Sequence, residues 1–293
     1  MTGADSGIGK TIAVVFASQG AMVTLCGRDQ NRLQATKELC VCASGDMTDD
    51  DRFIVVRGDI REPEIRKHIV DMTLWKFNRL DILVANAGVV SHDRGILNAA
   101  EETGGILVDT NVKAWFRLIQ DAVPFLHTYK GNIVVVSSIE SHVAAPDVTY
   151  YMPKAAVDHM VRSLAHELGP MGIRVNAVNP RFLTTRLHLE SARMLNPAEA
   201  VYTLKANVDV SANHTRTESV KQHLGRDVIA FDRVAQAVGF LSSGKANSMT
   251  GQCLLVDAEP TLAGYENPYV STQDVEKEEH NDGLWTWINK MSQ

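Results

Sequence analysis

Tyr150 and Lys154 stand four residues apart in "TYYMPKAAVDHM", so on a helix their side chains share one face. A phenol titrates near ~10, too high for a proton shuttle at neutral pH. A neighbouring ammonium stabilises the phenolate and draws that value down. Ser138 closes the apolar run "NIVVVSS", where its hydroxyl can hydrogen-bond a carbonyl or alcohol oxygen. A Tyr-x-x-x-Lys pair alone is frequent on helix faces. A serine leaving the preceding strand turns it into a candidate proton-transfer site.

A second chemistry is written at the start of the chain. In "MTGADSGIGK" the residues Thr2, Gly3, Ser6, Gly7, Ile8 and Gly9 form a spaced-glycine turn that runs into "GKTIAVVFASQG". A turn opening a helix aims free backbone N–H groups and the positive helix end at one point, which suits a pyrophosphate. Glycine is needed where the backbone must approach the ligand or take positive φ. The next strand ends in Gly27 and Arg28, where a dinucleotide's adenosine ribose is met. An acidic residue there would bind a 2′-hydroxyl, whereas an arginine favours a 2′-phosphate. NADP(H) is therefore expected over NAD(H).

These groups need a frame. Apolar runs recur at residues 21–27, 52–58, 81–88, 132–138, 173–180 and 252–257, apolar on both faces as strands of a helix-covered parallel sheet must be. Helical stretches lie between them: "GIGKTIAVVFASQ" closed by Gly20, "EIRKHIVDMTLWKF", "AWFRLIQDAVPFLHTY" and "AAVDHMVRSLAHELGPMG". Pro124 is expected to kink or end the third. Alternating strands and helices over one sheet predict a doubly wound α/β fold of the Rossmann type, in a single domain over residues 1–262. Residues 181–226 form an insertion with amphipathic pieces, and residues 263–293 an acidic tail with a terminal aromatic anchor.

Bulk properties exclude several classes. The 293 residues are 45% hydrophobic and carry a net charge of -6, with no strongly basic block, which argues against nucleic-acid or membrane-surface partners. No run of ~18 apolar residues and no secretory leader is visible, so membrane insertion is not expected and a cytoplasmic location is. Cys26, Cys40, Cys42 and Cys253 form no disulfide framework, and the Cys40–Cys42 pair lacks metal-ligand companions, so no metal site is expected.

The motifs taken together resemble the classical branch of the short-chain dehydrogenase/reductase family. The resemblance rests on "TGADSGIG", Asp59 after the family's third strand (the apolar run at 52–58), "NAG" at Asn86, Ala87 and Gly88, and Asn111 in "VDTNVKAWF". It continues through Ser138, Tyr150 with Lys154, "RVNAVNP" and "MTGQCLLVD", in family order over roughly residues 1–258. It implies that the glycine turn cradles the cofactor, that Asp59 and Ile60 hold the adenine, and that Asn86, Ala87 and Gly88 pack under it. It implies that Lys154 also binds the nicotinamide ribose and that Asn111 orders a water in the proton relay. Pro180, Leu183 and Thr185 match the positions that meet the nicotinamide carboxamide. It further implies hydride transfer with Tyr150 as acid or base, in a homodimer or homotetramer built on the helices that carry Asn111 and Tyr150.

Departures from that pattern are as informative. Tyr151 follows Tyr150 but misses the spacing of four, so Tyr150 is preferred. Pro153 precedes the lysine and is compatible with the Tyr150–Lys154 geometry only if the helix starts close to Tyr150. Ser137 would restore the family's loop length but leaves the strand on the wrong face, so Ser138 is preferred. Arg181 replaces a glycine, either tilting its loop or contacting an anionic substrate, with simple tolerance favoured; "VDAEP" replaces a Gly-Gly ending. The first β-strand of this fold is missing ahead of Thr2, which leaves two buried edges unpaired at ~1–3 kcal/mol per orphaned group. Either the sequence is incomplete at its start, which is favoured, or it is a truncated form. The resulting expectation is an NADP(H)-dependent oxidoreductase acting on a carbonyl or alcohol of a small, apolar substrate under a lid over 181–226. The alternative is a non-catalytic or truncated relative that binds cofactor or a protein partner.

Overall fold

The computed structural model describes residues 1–45, 49–90, 96–143, 147–181 and 231–257. Within them lie six strands, all paired in parallel: β1 (Val23–Gly27), β2 (Phe53–Arg57), β3 (Ile82–Ala85), β4 (Asn132–Val136), β5 (Arg174–Pro180) and β6 (Cys253–Val256). Each falls inside one of the apolar runs. The strands carry alternate side chains into two cores, as a sheet covered on both faces requires. Val84, Val134, Val136 and Val178 face α1 (Gly7–Ser18), α2 (Gln30–Ser44) and α7 (Phe231–Ser242). Leu83, Ala85, Ile133, Val135, Val175 and Ala177 face α3 (Pro63–Phe77), α5 (Ala114–Thr128) and α6 (Val148–Leu168). The fold is the expected doubly wound α/β sandwich.

Among the described residues the strands form two ladders, divided between β1 and β3. β1 pairs with β2, and β3–β4–β5–β6 form a second ladder. Residues 1–4 stitch the halves together: Cys26 N–H donates to Met1 O (2.9 Å), Ala4 N–H to Cys26 O (2.9 Å) and Thr2 N–H to Val84 O (3.2 Å). The facing edges are therefore paired at their C-terminal ends, not left wholly open. Behind Met1 a slot of about 290 Å³ separates β1 from β3, lined by Phe16, Val23, Thr24, Val70, Leu83 and Leu118 among others.

Two prolines are overridden by packing. Pro124 does not end α5, which runs on to Thr128. Pro124 and Gln120, whose carbonyl loses its partner, both lie on the exposed face, where water can replace the bond. Trp115, Leu118, Ile119, Ala122 and Leu126 bury the other face. Pro153 sits in the second turn of α6, and that helix begins at Val148, two residues before Tyr150. The condition that Pro153 set on the Tyr150–Lys154 geometry is met. A short helix that no sequence pattern indicated, α4 (Glu101–Val108), leads through a π-helical turn at Asp109–Lys113 into α5.

The insertion over 181–226, except Arg181, and the tail over 263–293 lie outside the described residues. Among the described residues no helix is long and apolar enough to cross a membrane.

Candidate active site

The C-terminal ends of the strands carry a cleft, the usual crevice of an open α/β sheet. Its walls include Gly3, Ser6, Gly7, Ile8, Gly9, Arg28, Asp59, Ile60, Asn86, Ala87 and Gly88, eleven of the seventeen residues expected to hold a cofactor; Thr2, Tyr150, Lys154 and Pro180 are not among its walls. Thr2 is fully buried beneath it. The Thr2 hydroxyl accepts the backbone N–H of Asn86 (3.0 Å) and Ala87 (3.1 Å), while the Asn86 amide donates to Thr2 O (3.0 Å) and Gly3 O (3.3 Å). This lacing locks the glycine turn to the loop after β3. Its closeness excludes side chains: a Cβ on Gly3 would stand 2.7 Å from Asn86 Nδ2, and one on Gly9 would overlap Gly3 O. Gly3 and Gly7 also hold positive φ, 64° and 50°. Ser6 occupies the N-cap of α1 without a side-chain cap bond, and the first turn of α1 carries no acidic residue. The helix's opening N–H groups and positive end thus face the cleft uncapped, the donor set an anionic pyrophosphate requires.

At the far end of the cleft, Arg28 is exposed and Asp59 is occupied. The Asp59 carboxylate takes the Arg61 guanidinium (2.8 Å from Nη2) and the Arg61 backbone N–H (2.9 Å). Burial alone would raise the Asp59 carboxyl; the Arg61 side-chain and backbone hydrogen bonds outweigh it and hold the group below its ordinary value. Seven further wall residues, Asp5, Cys26, Gly27, Gly58, Arg61, Val89 and Thr110, were not among those expected to hold the cofactor. Asp5 packs against Gly27, where a Cβ would stand 2.7 Å from the carboxyl carbon, and its carboxylate accepts the Asp29 N–H (3.3 Å). Asp5 lies inside the turn "TGADSGIG" itself, whereas Cys26, Arg61, Val89 and Thr110 belong to no spaced motif and no local signal marks them.

Asn111 lies in the π-helical turn and is fully buried. Its side-chain oxygen accepts Val89 N–H (2.9 Å) and its amide donates to Val89 O (2.8 Å), while Trp115 Nε1–H donates to Ala87 O (2.7 Å). Two side chains one turn apart therefore pin the loop Ala87–Val89 that forms the cleft floor. Inserted π turns of this kind re-aim side chains at functional places.

Ser138, Tyr150 and Lys154 converge as their spacing predicts. The ladder ends at Val136, and Ser138 begins a 3₁₀ turn, Ile139–Ser141. That turn is braced from below: Asn179 donates to Ser138 O (3.0 Å) and to the buried Asp158 carboxylate (2.7 Å), which also accepts the Ser141 hydroxyl (2.6 Å). Ser138 Oγ donates to Pro180 O at 3.5 Å and stands close enough to the Tyr150 phenol to favour its ionised form. Ser137 is buried with its hydroxyl unpartnered. Asp147 caps α6, accepting the Tyr150 N–H at 3.3 Å and the Thr149 hydroxyl at 2.7 Å, which fixes the turn that carries Tyr150.

Lys154 is buried and donates to Val136 O (3.3 Å) and Ser137 O (3.2 Å), with its Nζ 5.7 Å from the Tyr150 ring centroid and 5.1 Å from that of Trp115. Burial lowers its ammonium to about 8, against the attraction of Glu140 and Asp158. The expected lowering of the Tyr150 phenol is not found in the protein by itself. Burial first, and then the Glu140 carboxylate, push it above its ordinary value, and the Ser138 hydroxyl only partly opposes them. Arg181 follows β5, its N–H donating to Val256 O (3.1 Å), and its charge acts on Glu140. Leu183 and Thr185 lie outside the described residues.

Comparison with known proteins converges on one family. Residues 1–196 match the model of the short chain dehydrogenase family. An 11-beta-hydroxysteroid dehydrogenase A of Sesamum indicum is 32% identical over 80% of this chain and 66% of its own length. A glucose 1-dehydrogenase of Gluconobacter oxydans is 29% identical over 92% of this chain and 94% of its own. The crystal structure of a carveol dehydrogenase from Mycobacterium avium in complex with NAD superposes with a TM-score of 0.75, at 27% identity, over 89% of this chain and 96% of that one.

Proposed function

The chain belongs to the short-chain dehydrogenase family, and from that premise we propose an NADP(H)-dependent oxidoreductase with Tyr150 as its general acid and base. Hydride transfer at a CH–OH or C=O centre is the activity of the family. When bound, the nicotinamide supplies or accepts that hydride. Gly3, Gly7, Ile8 and Gly9 with the α1 N-terminus would hold its pyrophosphate, and Asp59, Ile60, Asn86, Ala87 and Gly88 its adenosine half. Arg28, together with the nearby Arg61, supports a 2′-phosphate over a 2′-hydroxyl. Pro180 and, beyond the described residues, Leu183 and Thr185 are assigned to the carboxamide.

Ser138 holds the substrate oxygen, and Tyr150 exchanges the proton with it. Lys154 keeps positive charge beside the phenol and so opposes the burial that disfavours the phenolate. Asn111, gripping Val89, fixes the loop under the reacting end; a water held there would complete the relay. The observation that carries the reading is the convergence of Tyr150 and Lys154 on the end of β4 beside Ser138, with Lys154 against the Trp115 ring whose N–H donates to Ala87 O in the cleft wall. The substrate is a small carbonyl or alcohol compound with an apolar body. Assembly into a dimer or tetramer through α5 and α6 fits their exposed Phe116 (42%) and Met152 (56%).

The test is Tyr150→Phe assayed with NADPH and a carbonyl panel. Turnover should fall by about 10²–10⁴ while NADPH affinity, read from nicotinamide fluorescence, stays within about twofold. A variant that retains turnover removes Tyr150 from the mechanism.

A further inference from the structure

The last position of β1 is Gly27, so the strand itself offers no acidic side chain to the cleft. The fold brings one there from another part of the chain. Asp5, in the glycine turn, is a wall residue of the cleft and packs on Gly27. A Cβ built on Gly27 would stand 2.7 Å from the Asp5 carboxyl carbon and 3.0 Å from Asp5 Oδ1. The Asp5 carboxylate therefore fills the space that a side chain at position 27 would need. Gly27 is not among the glycines of positive φ, so this contact, and not its backbone angle, is what requires glycine there.

The helix that follows β1 holds the carboxylate in this place. Asp5 Oδ2 accepts the Asp29 N–H at 3.3 Å and meets Arg32 Nη2 at 3.6 Å. Arg32 is shared with Asp29, Nε to Oδ2 at 3.3 Å, and so neutralises Asp5 only in part. Both contacts use Oδ2, while Oδ1 lies on the Gly27 side. Of the other charged groups at this end of the cleft, Arg61 is bound to Asp59, and Arg57 Nε donates to Arg28 O at 3.4 Å. Gly27 thus has a cation next to it in the chain, Arg28, and an anion packed on it, Asp5.

A carboxylate at such a strand end accepts a ribose 2′-hydroxyl, whereas an arginine favours a 2′-phosphate. The same carboxylate repels a phosphate through like charge. Resting on the placement of the cofactor's adenosine half at the end of β1, we propose that Asp5 is a specificity residue whose carboxylate accepts the ribose 2′-hydroxyl of NADH and limits the preference for NADPH that Arg28 sets. Both cofactors are then bound, and the balance between Asp5 and Arg28 decides their ratio.

The experiment titrates the full chain with NADPH and NADH, followed by nicotinamide fluorescence, in the wild type, Asp5→Asn and Asp5→Ser. The wild type should favour NADPH by no more than about tenfold in Kd. Asp5→Asn keeps the shape and removes the charge; it should tighten NADPH, weaken NADH and move the ratio of the two Kd values toward NADPH by about tenfold. Asp5→Ser repeats the measurement if the asparagine variant does not fold. A merely structural role for Asp5 would weaken both cofactors alike and leave the ratio in place. A ratio within about twofold of the wild type, or one that moves toward NADH, overturns the proposal, as does a wild-type preference for NADPH beyond about a hundredfold. Arg28→Leu separates this from the reading beneath it. If Arg28→Leu moves the ratio toward NADH and the Asp5 variants do not move it, the 2′-phosphate assignment stands and the role of Asp5 falls. If the Asp5 variants move it and Arg28→Leu does not, Asp5 stands and the assignment of Arg28 falls. A wild type that binds neither cofactor overturns both.

Discussion

Lys154 and Tyr150 meet on one face of α6, the ammonium 5.7 Å from the phenol ring, with the ammonium anchored to the carbonyls of Val136 and Ser137 where β4 ends. The helix thus supplies spacing and the strand end supplies orientation. Because the ammonium is buried, it titrates near 8 when folded against an ordinary value of 10.5. The unfolded chain binds the extra proton between those two values, so wild-type stability rises as pH climbs from about 8 to about 10.5. Lys154→Met should abolish that rise, at most about 3 kcal/mol, in urea titrations at successive pH values. The same variant should lose about 10²-fold or more in kcat. An unchanged stability slope would mean that the ammonium is solvated in the folded protein.

The Glu140 carboxylate raises the phenol of Tyr150, so removing its charge should make the phenolate easier to form. In the direction of alcohol oxidation, Glu140→Gln should move the acid limb of the pH–rate profile down by on the order of one unit. The same group has a stability signature of opposite sign to that of Lys154. Its folded value, about 7, lies above its ordinary 4.5, so the stability present below the latter is lost as pH rises through the former. Melting curves between pH 5 and 8 should therefore fall less steeply for Glu140→Gln. An acid limb that stays put, or climbs, contradicts this coupling.

Gly9 is set by the path of the turn beneath it. A methyl group there would overlap Gly3 O, which is backbone, and stand 2.6 Å from Asn86 Nδ2, which is held by its bonds to Thr2 O and Gly3 O. Gly9→Ala should force the turn away from the loop after β3 and weaken NADPH binding by about tenfold or more, a cost of roughly 1.4 kcal/mol. Gly104→Ala, which meets nothing, is the control and should leave the affinity unchanged. Equal affinities in the two variants would show that the turn yields cheaply.

What was legible in the sequence was whatever local pattern determines. Six strands were visible because both faces of each are apolar, and Ser138, Tyr150 and Lys154 because residue type and spacing suffice to place them. Pro124 was expected to kink or end its helix and does not end it: the buried face from Trp115 to Leu126 outweighs one lost backbone bond. The helix Glu101–Val108 went unseen because Gly104 and Gly105 dilute its pattern. The Tyr150 phenol was expected to be lowered by Lys154, yet its burial and the nearness of Glu140 are tertiary facts that no spacing displays. The same holds for Asp5 beside Gly27 and Arg61 on Asp59.

Asn111 joins the helix layer to the cleft floor through two hydrogen bonds to Val89. Asn111→Leu keeps the volume but orphans the N–H and C=O of Val89 in a buried place, at about 1–3 kcal/mol for each group left unmade. The melting temperature should fall by several degrees and kcat with it, since the loop Ala87–Val89 is no longer pinned. Asn111→Asp, which retains the acceptor and loses the donor, should sit between leucine and wild type in stability. If leucine is as stable as the wild type, the π-helical turn is holding the loop by other means.

The slot between β1 and β3 gives the last prediction. The Met1 ammonium is buried at its floor and donates to Thr24 O at 3.1 Å, and burial pushes it down to about 6 from an ordinary 8.0. A chain beginning at Met1 therefore binds more protons unfolded than folded between those values, and its stability should rise with pH across that window. A strand of about five β-branched residues fused ahead of Met1 replaces the ammonium by an amide and fills the slot in parallel with both neighbours. The extension should raise the melting temperature and erase the slope between pH 6 and 8, whereas a Gly-Ser extension of equal length should erase the slope alone. Separating the two in this way distinguishes relief of the buried charge from pairing of the strand edges. An apolar extension that performs no better than Gly-Ser would mean that residues 1–4 already close the sheet.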